Sequence, residues 1–152
     1  MWWRLKIAEC CATGLYLGRS PVAPGTVGTL LAFPLAWIML YLPLNLQLLC
    51  YVFLAAGLTL AASIWGVYLK DSDHRSIVCD EIIGILPLLL YFEAHLWFWA
   101  FLLFRIFDII KPWPISWVDR AVKGALGCML DDVLAGAIAF GILYGAALYM
   151  GS

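Results

Sequence analysis

The sequence predicts an all-α integral membrane protein with about five membrane segments, and three observations carry that prediction. Of 152 residues, 65% are apolar and 12% charged, against about 45–50% and about 25% in soluble domains, so the charges are too few to coat a water-facing globule. Mean hydropathy is +0.96. Several runs carry no charge over most of the roughly 20 residues that a helix needs to cross a bilayer. The length has room for one domain, residues 1–152, without internal repeat, low-complexity tract or linker. A net charge of −1 excludes nucleic-acid binding through a basic field.

The opening Met1-Trp2-Trp3-Arg4-Leu5-Lys6 has the positive charge of a signal peptide, but Glu9 interrupts the apolar stretch and no small-residue cleavage site follows, so it is expected to be mature sequence. Val27 to Leu44 supplies the first uncharged run. Leu46 to Leu69 supplies the second, with Pro43, Asn45 and Gln47 forming the turn between them. Residues 77–110 are expected to form a hairpin whose arms, Ile77 to Phe92 and Leu96 to Ile110, turn at Glu93-Ala94-His95. A single span from Ile82 to Phe104 would instead place Glu93 within the membrane at about 2.5–3.5 kcal/mol. The arms would be roughly 24 and 22 Å long, shorter than the bilayer core, which calls for local thinning or a mouth below the membrane surface. Val133 to Met150, rich in Gly and Ala, is the last segment, and its small residues permit close helix packing.

With the hairpin, Arg4, Lys6, Arg19, Lys70, Arg75, Arg105, Lys111, Arg120 and Lys123 share one face. The positive-inside rule makes that face cytoplasmic and puts the C-terminus outside. Trp97, Phe98, Trp99 and Phe101 are expected in an interfacial, lipid-facing belt. His74 and His95 are expected to be solvated. Five cysteines without Cys-x-x-Cys or zinc spacing argue against a disulfide framework, and nothing in the sequence sets an oligomeric state.

Four segments at the cytoplasmic edge carry the available chemistry, each with a structural alternative. Gly18-Arg19-Ser20-Pro21-Val22-Ala23-Pro24-Gly25-Thr26-Val27-Gly28-Thr29 could offer backbone N–H groups and Arg19 to a phosphate, or could be a helix start capped by Thr26. Asp80-Glu81 and Asp131-Asp132 each open an apolar run, with a glycine four residues after an Asp, one turn deeper on the same face, where another helix could approach the carboxylate. One acid near a helix N-terminus satisfies the dipole. Two vicinal pairs exceed that need and make Asp80, Glu81, Asp131 and Asp132 candidate oxygen ligands for Mg²⁺. Arg105, Asp108 and Lys111 close another run; they form a surface ion pair with a snorkelling lysine, or two phosphate ligands beside a metal ligand or base.

In order, the segments from Ala23 to Thr29, Val78 to Gly84, Phe104 to Pro114 and Met129 to Gly136 resemble the phosphatidylglycerophosphatase A family. The resemblance implies a multi-pass bacterial inner-membrane enzyme, Mg²⁺-dependent, hydrolysing the anionic phospholipid phosphatidylglycerophosphate to phosphatidylglycerol and inorganic phosphate on the cytoplasmic side. It implies catalytic roles for Asp80, Asp108 and Asp132. It also implies a metal set of Asp80, Glu81, Asp131 and Asp132, with phosphate contacts from Arg19, Gly25, Thr26, Arg105 and Lys111. Asp73, in a loop, is a further acidic match.

The chemistry suits those residues independently. Hydrolysis of a phosphomonoester needs its dianion neutralised, a nucleophile in line and the leaving alkoxide stabilised. The main alternative is a small non-enzymatic transporter or ion-binding protein, which would need acids at mid-depth or polar residues continuing to the far side. A CDP-alcohol phosphotransferase would need an Asp-Gly-x-x-Ala-Arg motif, which the sequence lacks.

Overall fold

A computed structural model describes residues 2–72 and 74–151; Asp73 lies outside the described residues. Among these, every regular element is helical: α1 Trp2–Ala12, α2 Pro24–Thr29, α3 Ala32–Met39, α4 Leu44–Leu69, α5 Cys79–Tyr91, α6 Trp97–Ile110, α7 Ile115–Ala121 and α8 Ala125–Gly151, with single 3₁₀ turns at Leu17–Arg19 and Ala94–Leu96. Two of them, α4 and α8, are long and apolar enough to cross a membrane. Only 17% of the most apolar window of α4 is buried, and its outward face carries Val52, Phe53, Leu60 and Val67. An apolar helix with so little protein around it is not the core helix of a soluble domain.

The first expected span is not continuous. Pro34 has no N–H for the carbonyl of Leu30, so the helix breaks there into α2 and α3. Phe33 N donates to Leu30 O at 3.3 Å, and Leu31 N to Gly28 O at 3.0 Å, in tighter turns. The hairpin forms as two helices of 13 and 14 residues joined through Glu93 and the Ala94–Leu96 turn.

The centre of the molecule is α5. Ile82, Ile85, Leu86, Leu88 and Leu89 are buried against Ala32 and Ala36 of α3, Ala100 and Phe104 of α6, and Ala135 and Ala139 of α8. Pro87 inside α5 leaves the carbonyl of Ile83 without its helical donor. The hydroxyl of Tyr51 on α4 donates to that carbonyl at 3.3 Å.

Two further expectations are corrected. Trp97 is not in a lipid-facing belt: it is buried, and its indole N–H is shared between the carbonyls of Leu89 and Phe92 at 3.1 and 3.0 Å. An indole donor in an apolar setting needs an acceptor, and the end of α5 supplies orphan carbonyls. Phe98 and Trp99 do face outward. Nor do all cations gather at one edge. Arg4 lines a groove with Gly57 and Leu60, and Leu60 lies about 15 Å along α4 from Lys70 at the helical rise, because α1 packs along α4.

Candidate active site

At the end of the bundle opposite the hairpin turn, a cleft of about 360 Å³ is lined by the start of α2, the loop before α5, and residues of α5, α6 and α8. Its floor follows from how α5 and α8 cross. A Cβ on Gly84 would stand 2.7 Å from the carbonyl oxygen of Asp132, and one on Gly136 would overlap the carbonyl oxygen of Gly84. Both helices therefore need glycine at the crossing. One turn above it, Asp80 and Asp132 face each other.

Carboxylate oxygens of Asp80, Glu81 and Asp132 all lie within 4.8 Å of one another. The backbone N–H of Glu81 donates to Asp80 Oδ1 at 3.2 Å, and Glu81 Oε2 is buried without a hydrogen-bond partner. Three hard oxygen donors, one with an unused buried acceptor, form a donor set suited to a divalent cation such as Mg²⁺. Gly25 sits directly over them. A Cβ there would collide with Glu81 Oε1 and come within 3.3 Å of an Arg105 nitrogen. Thr26, expected either as cap or as phosphate contact, is inside α2 and lines the cleft; the N-cap position belongs to Ala23.

Arg105 and Asp108, one helical turn apart on α6, form an ion pair inside the cleft rather than on an open surface, with side-chain exposures of 14% and 11%. The Arg105 guanidinium also approaches Glu81 at 3.8 Å, and its Nε has no hydrogen-bond acceptor. So one cation spans the carboxylate trio and Asp108.

The vicinal pair Asp131-Asp132 splits. Neighbouring residues on a helix diverge by about 100°, and while Asp132 joins the trio, Asp131 turns to Lys111. Lys111, in the left-handed region at φ 45° after α6, also donates to Asp119 of α7 at 3.0 Å. Burial alone would pull the Lys111 ammonium down, but its bonds to Asp131 and Asp119 outweigh that and carry it above its ordinary value. The same bond holds Asp119 below the usual carboxylate range. Since α8 begins at Ala125, Asp131 and Asp132 lie beyond its first turn, where the helix dipole no longer accounts for them.

The structure therefore brings together Asp80, Glu81, Asp108, Asp131, Asp132, Gly25, Thr26, Arg105 and Lys111. It does not bring in Arg19. That guanidinium pairs with buried Glu9 on α1 and packs over the Tyr16 ring, because the Leu17–Arg19 turn points it back toward α1. Conversely His74, expected to be solvated, and Arg75 beside it line the cleft. The only signal for them was their place a few residues before Asp80.

Comparison with known proteins identifies relatives of the chain. The family model for Phosphatidylglycerophosphatase A matches residues 10–147. The chain is 43% identical over 150 residues to phosphatidylglycerophosphatase A of Escherichia coli K12, covering 93% of this chain and 86% of the relative. It is 35% identical to phosphatidylglycerophosphatase A of Haemophilus influenzae, covering 91% and 88%. It is also 41% identical to a Bacteroides thetaiotaomicron protein named provisionally as a phosphatidylinositol-3-phosphatase, covering 84% and 86%. No solved structure shows a significant match.

Proposed function

The chain belongs to the phosphatidylglycerophosphatase A family and is a phosphatase, and from that premise we propose that it is Mg²⁺-dependent and hydrolyses phosphatidylglycerophosphate to phosphatidylglycerol and inorganic phosphate at the cytoplasmic face of a bacterial inner membrane. The observation that carries the reading is the carboxylate trio of Asp80, Glu81 and Asp132 beneath Gly25 and beside Arg105.

When bound, Mg²⁺ supplies neutralisation of the phosphate dianion and polarisation of its P–O bonds. Asp80, Glu81 and Asp132 would hold it. Gly25 leaves the space over them open to the phosphate. Arg105, already desolvated and held by Asp108, presents its planar fork to the phosphate oxygens. Asp108, fixed by the same ion pair, takes the proton of the attacking water as its oxygen bonds to phosphorus, and returns it to the glycerol oxygen that leaves as the P–O bond breaks. Lys111 acts one step back by holding Asp131 and therefore the register of α8 that sets Asp132.

Five membrane segments accommodate this site: α2 with α3, α4, α5, α6 and α8. At about 20 and 21 Å, α5 and α6 fall short of the roughly 30 Å hydrocarbon core, which favours a cleft recessed below the headgroups where a lipid phosphate can enter. A transport pathway is disfavoured by the other end of the bundle. There the cavity between α4, α5 and α8 is lined by Leu44, Leu48, Pro87, Leu90 and Phe140, with only Gln47, Tyr51 and Tyr91 polar.

Phosphate release from phosphatidylglycerophosphate by the purified chain in detergent micelles, with and without Mg²⁺, tests the reading, with phosphatidylinositol 3-phosphate as the competing substrate suggested by the Bacteroides relative. Faster Mg²⁺-dependent turnover of phosphatidylglycerophosphate is expected. Preference for the inositol lipid would reassign the substrate, and hydrolysis independent of divalent cations would remove the role of the trio.

A further inference from the structure

Three cations line the cleft: Arg75, Arg105 and Lys111. Two are committed to acids of the site. Arg105 pairs with Asp108 and approaches Glu81, and Lys111 pairs with Asp119 and Asp131. Among the described residues no carboxylate lies within ion-pair distance of Arg75, which is exposed at the rim. An arginine fork without an acid is available to an anion from outside the protein.

Its neighbour His74 is prepared in a complementary way. The backbone N–H of Ser76 donates to His74 Nδ1 at 3.2 Å, so that nitrogen is the acceptor, and the Ser76 hydroxyl lies 2.8 Å from it. With Nδ1 accepting, a neutral ring carries its proton on Nε2, so His74, which lines the cleft, has a hydrogen-bond donor to offer. Ser76 also ties the loop down on the other side: a Cβ on Gly18 would overlap the Ser76 carbonyl oxygen. The loop is therefore packed against the turn before α2, and His74 and Arg75 project from a supported backbone.

We propose that Arg75 and His74 form a second anion subsite that receives the phosphodiester of a lipid whose terminal phosphomonoester occupies the Asp80, Glu81 and Asp132 centre. This inference rests on the lipid-phosphatase reading above and adds to it the element that selects substrate. A lipid with two phosphates separated by a glycerol unit engages both subsites, whereas a lipid with a single phosphate engages one. Charge at the rim then contributes to substrate binding rather than to bond cleavage, so its loss appears in KM rather than kcat.

The experiment compares full-length wild type with Arg75→Gln, Arg75→Lys and His74→Ala in mixed micelles at fixed lipid mole fraction. Phosphate release is followed from phosphatidylglycerophosphate and from phosphatidic acid, which has the monoester without the second phosphate. Arg75→Gln is expected to raise KM for phosphatidylglycerophosphate by about tenfold, as for loss of one charge-assisted hydrogen bond at a partly exposed site, with kcat within about twofold. Phosphatidic acid kinetics stay at the wild-type values, and Arg75→Lys recovers part of the loss. His74→Ala moves KM the same way by a smaller factor. If phosphatidic acid binds without turnover, its inhibition constant against phosphatidylglycerophosphate serves in place of its KM. An equal loss on both lipids would reduce Arg75 to general attraction for anionic surfaces and overturn the subsite, as would an unchanged KM for phosphatidylglycerophosphate. A wild-type protein that releases phosphate from neither lipid would instead refute the phosphatase reading on which the subsite stands, before any variant is compared.

Discussion

A Cβ on Gly136 would overlap the carbonyl oxygen of Gly84, so the backbones of α5 and α8 touch at a point one turn below Asp80 and Asp132. Gly136→Ala is expected to force the helices apart, costing about 1–3 kcal/mol as an overpacked contact and lowering activity by widening the carboxylate cluster. Gly141→Ala on the same helix meets nothing within 4 Å and should be neutral or stabilising by roughly 0.5–1 kcal/mol. Melting curves of the two variants in one detergent check the contrast. Equal destabilisation would remove the close crossing.

The Asp-to-Gly spacing of four was legible in the sequence because helical periodicity alone places the two residues on one face. That only one acid of the Asp131-Asp132 pair joins the trio was not. Asp131 and Asp132 point about 100° apart, and only the packing of α6 and α7 decides that Lys111 takes Asp131. Arg19 was misplaced for a related reason. Its nearness in sequence to Gly25 suggested a phosphate contact, while the Leu17–Arg19 turn sends it to Glu9. His74 and Arg75 reach the cleft by a loop whose path tertiary contacts set. Likewise, the break before α3 was missed because the uncharged run from Val27 to Leu44 reads as one span, although Pro34 within it has no N–H to offer Leu30.

Removing Arg19 should therefore behave as a structural change. Arg19→Ala leaves buried Glu9 with Lys6 at 3.0 Å as its remaining cation, an expected loss of about 1–3 kcal/mol. KM for the lipid substrate should remain near wild type. A raised KM without a change in melting temperature would restore Arg19 to the phosphate site.

Tyr51 and Pro87 are predicted to be coupled. Tyr51→Phe leaves the Ile83 carbonyl without the donor that Pro87 also denies it, at a cost of about 1 kcal/mol. In a Pro87→Ala background the helix can supply its own N–H, and the same Tyr51→Phe change should cost much less. Additive effects in a double-mutant cycle would contradict that compensation.

At Gly25 the expectation is a functional loss with little unfolding. Gly25→Val pushes a side chain into the space over Glu81 and Arg105, at a half-buried position at the start of α2. Turnover at saturating Mg²⁺ should fall sharply while the melting temperature changes little. Normal turnover would return this segment to a plain helix start.

Stability and function should move in opposite directions at the trio itself. Asp80, Glu81 and Asp132 repel one another within 4.8 Å, and Asp132 lies too far into α8 to owe its place to the helix dipole. The most direct measurement is Mg²⁺-dependent phosphate release from phosphatidylglycerophosphate by Asp132→Asn, paired with its melting temperature in the same detergent without added metal. Turnover is expected to fall by about two orders of magnitude or more, with a melting temperature equal to or above wild type. Near-normal turnover by the folded variant, or wild-type hydrolysis that persists after a chelator removes divalent cations, would contradict the account.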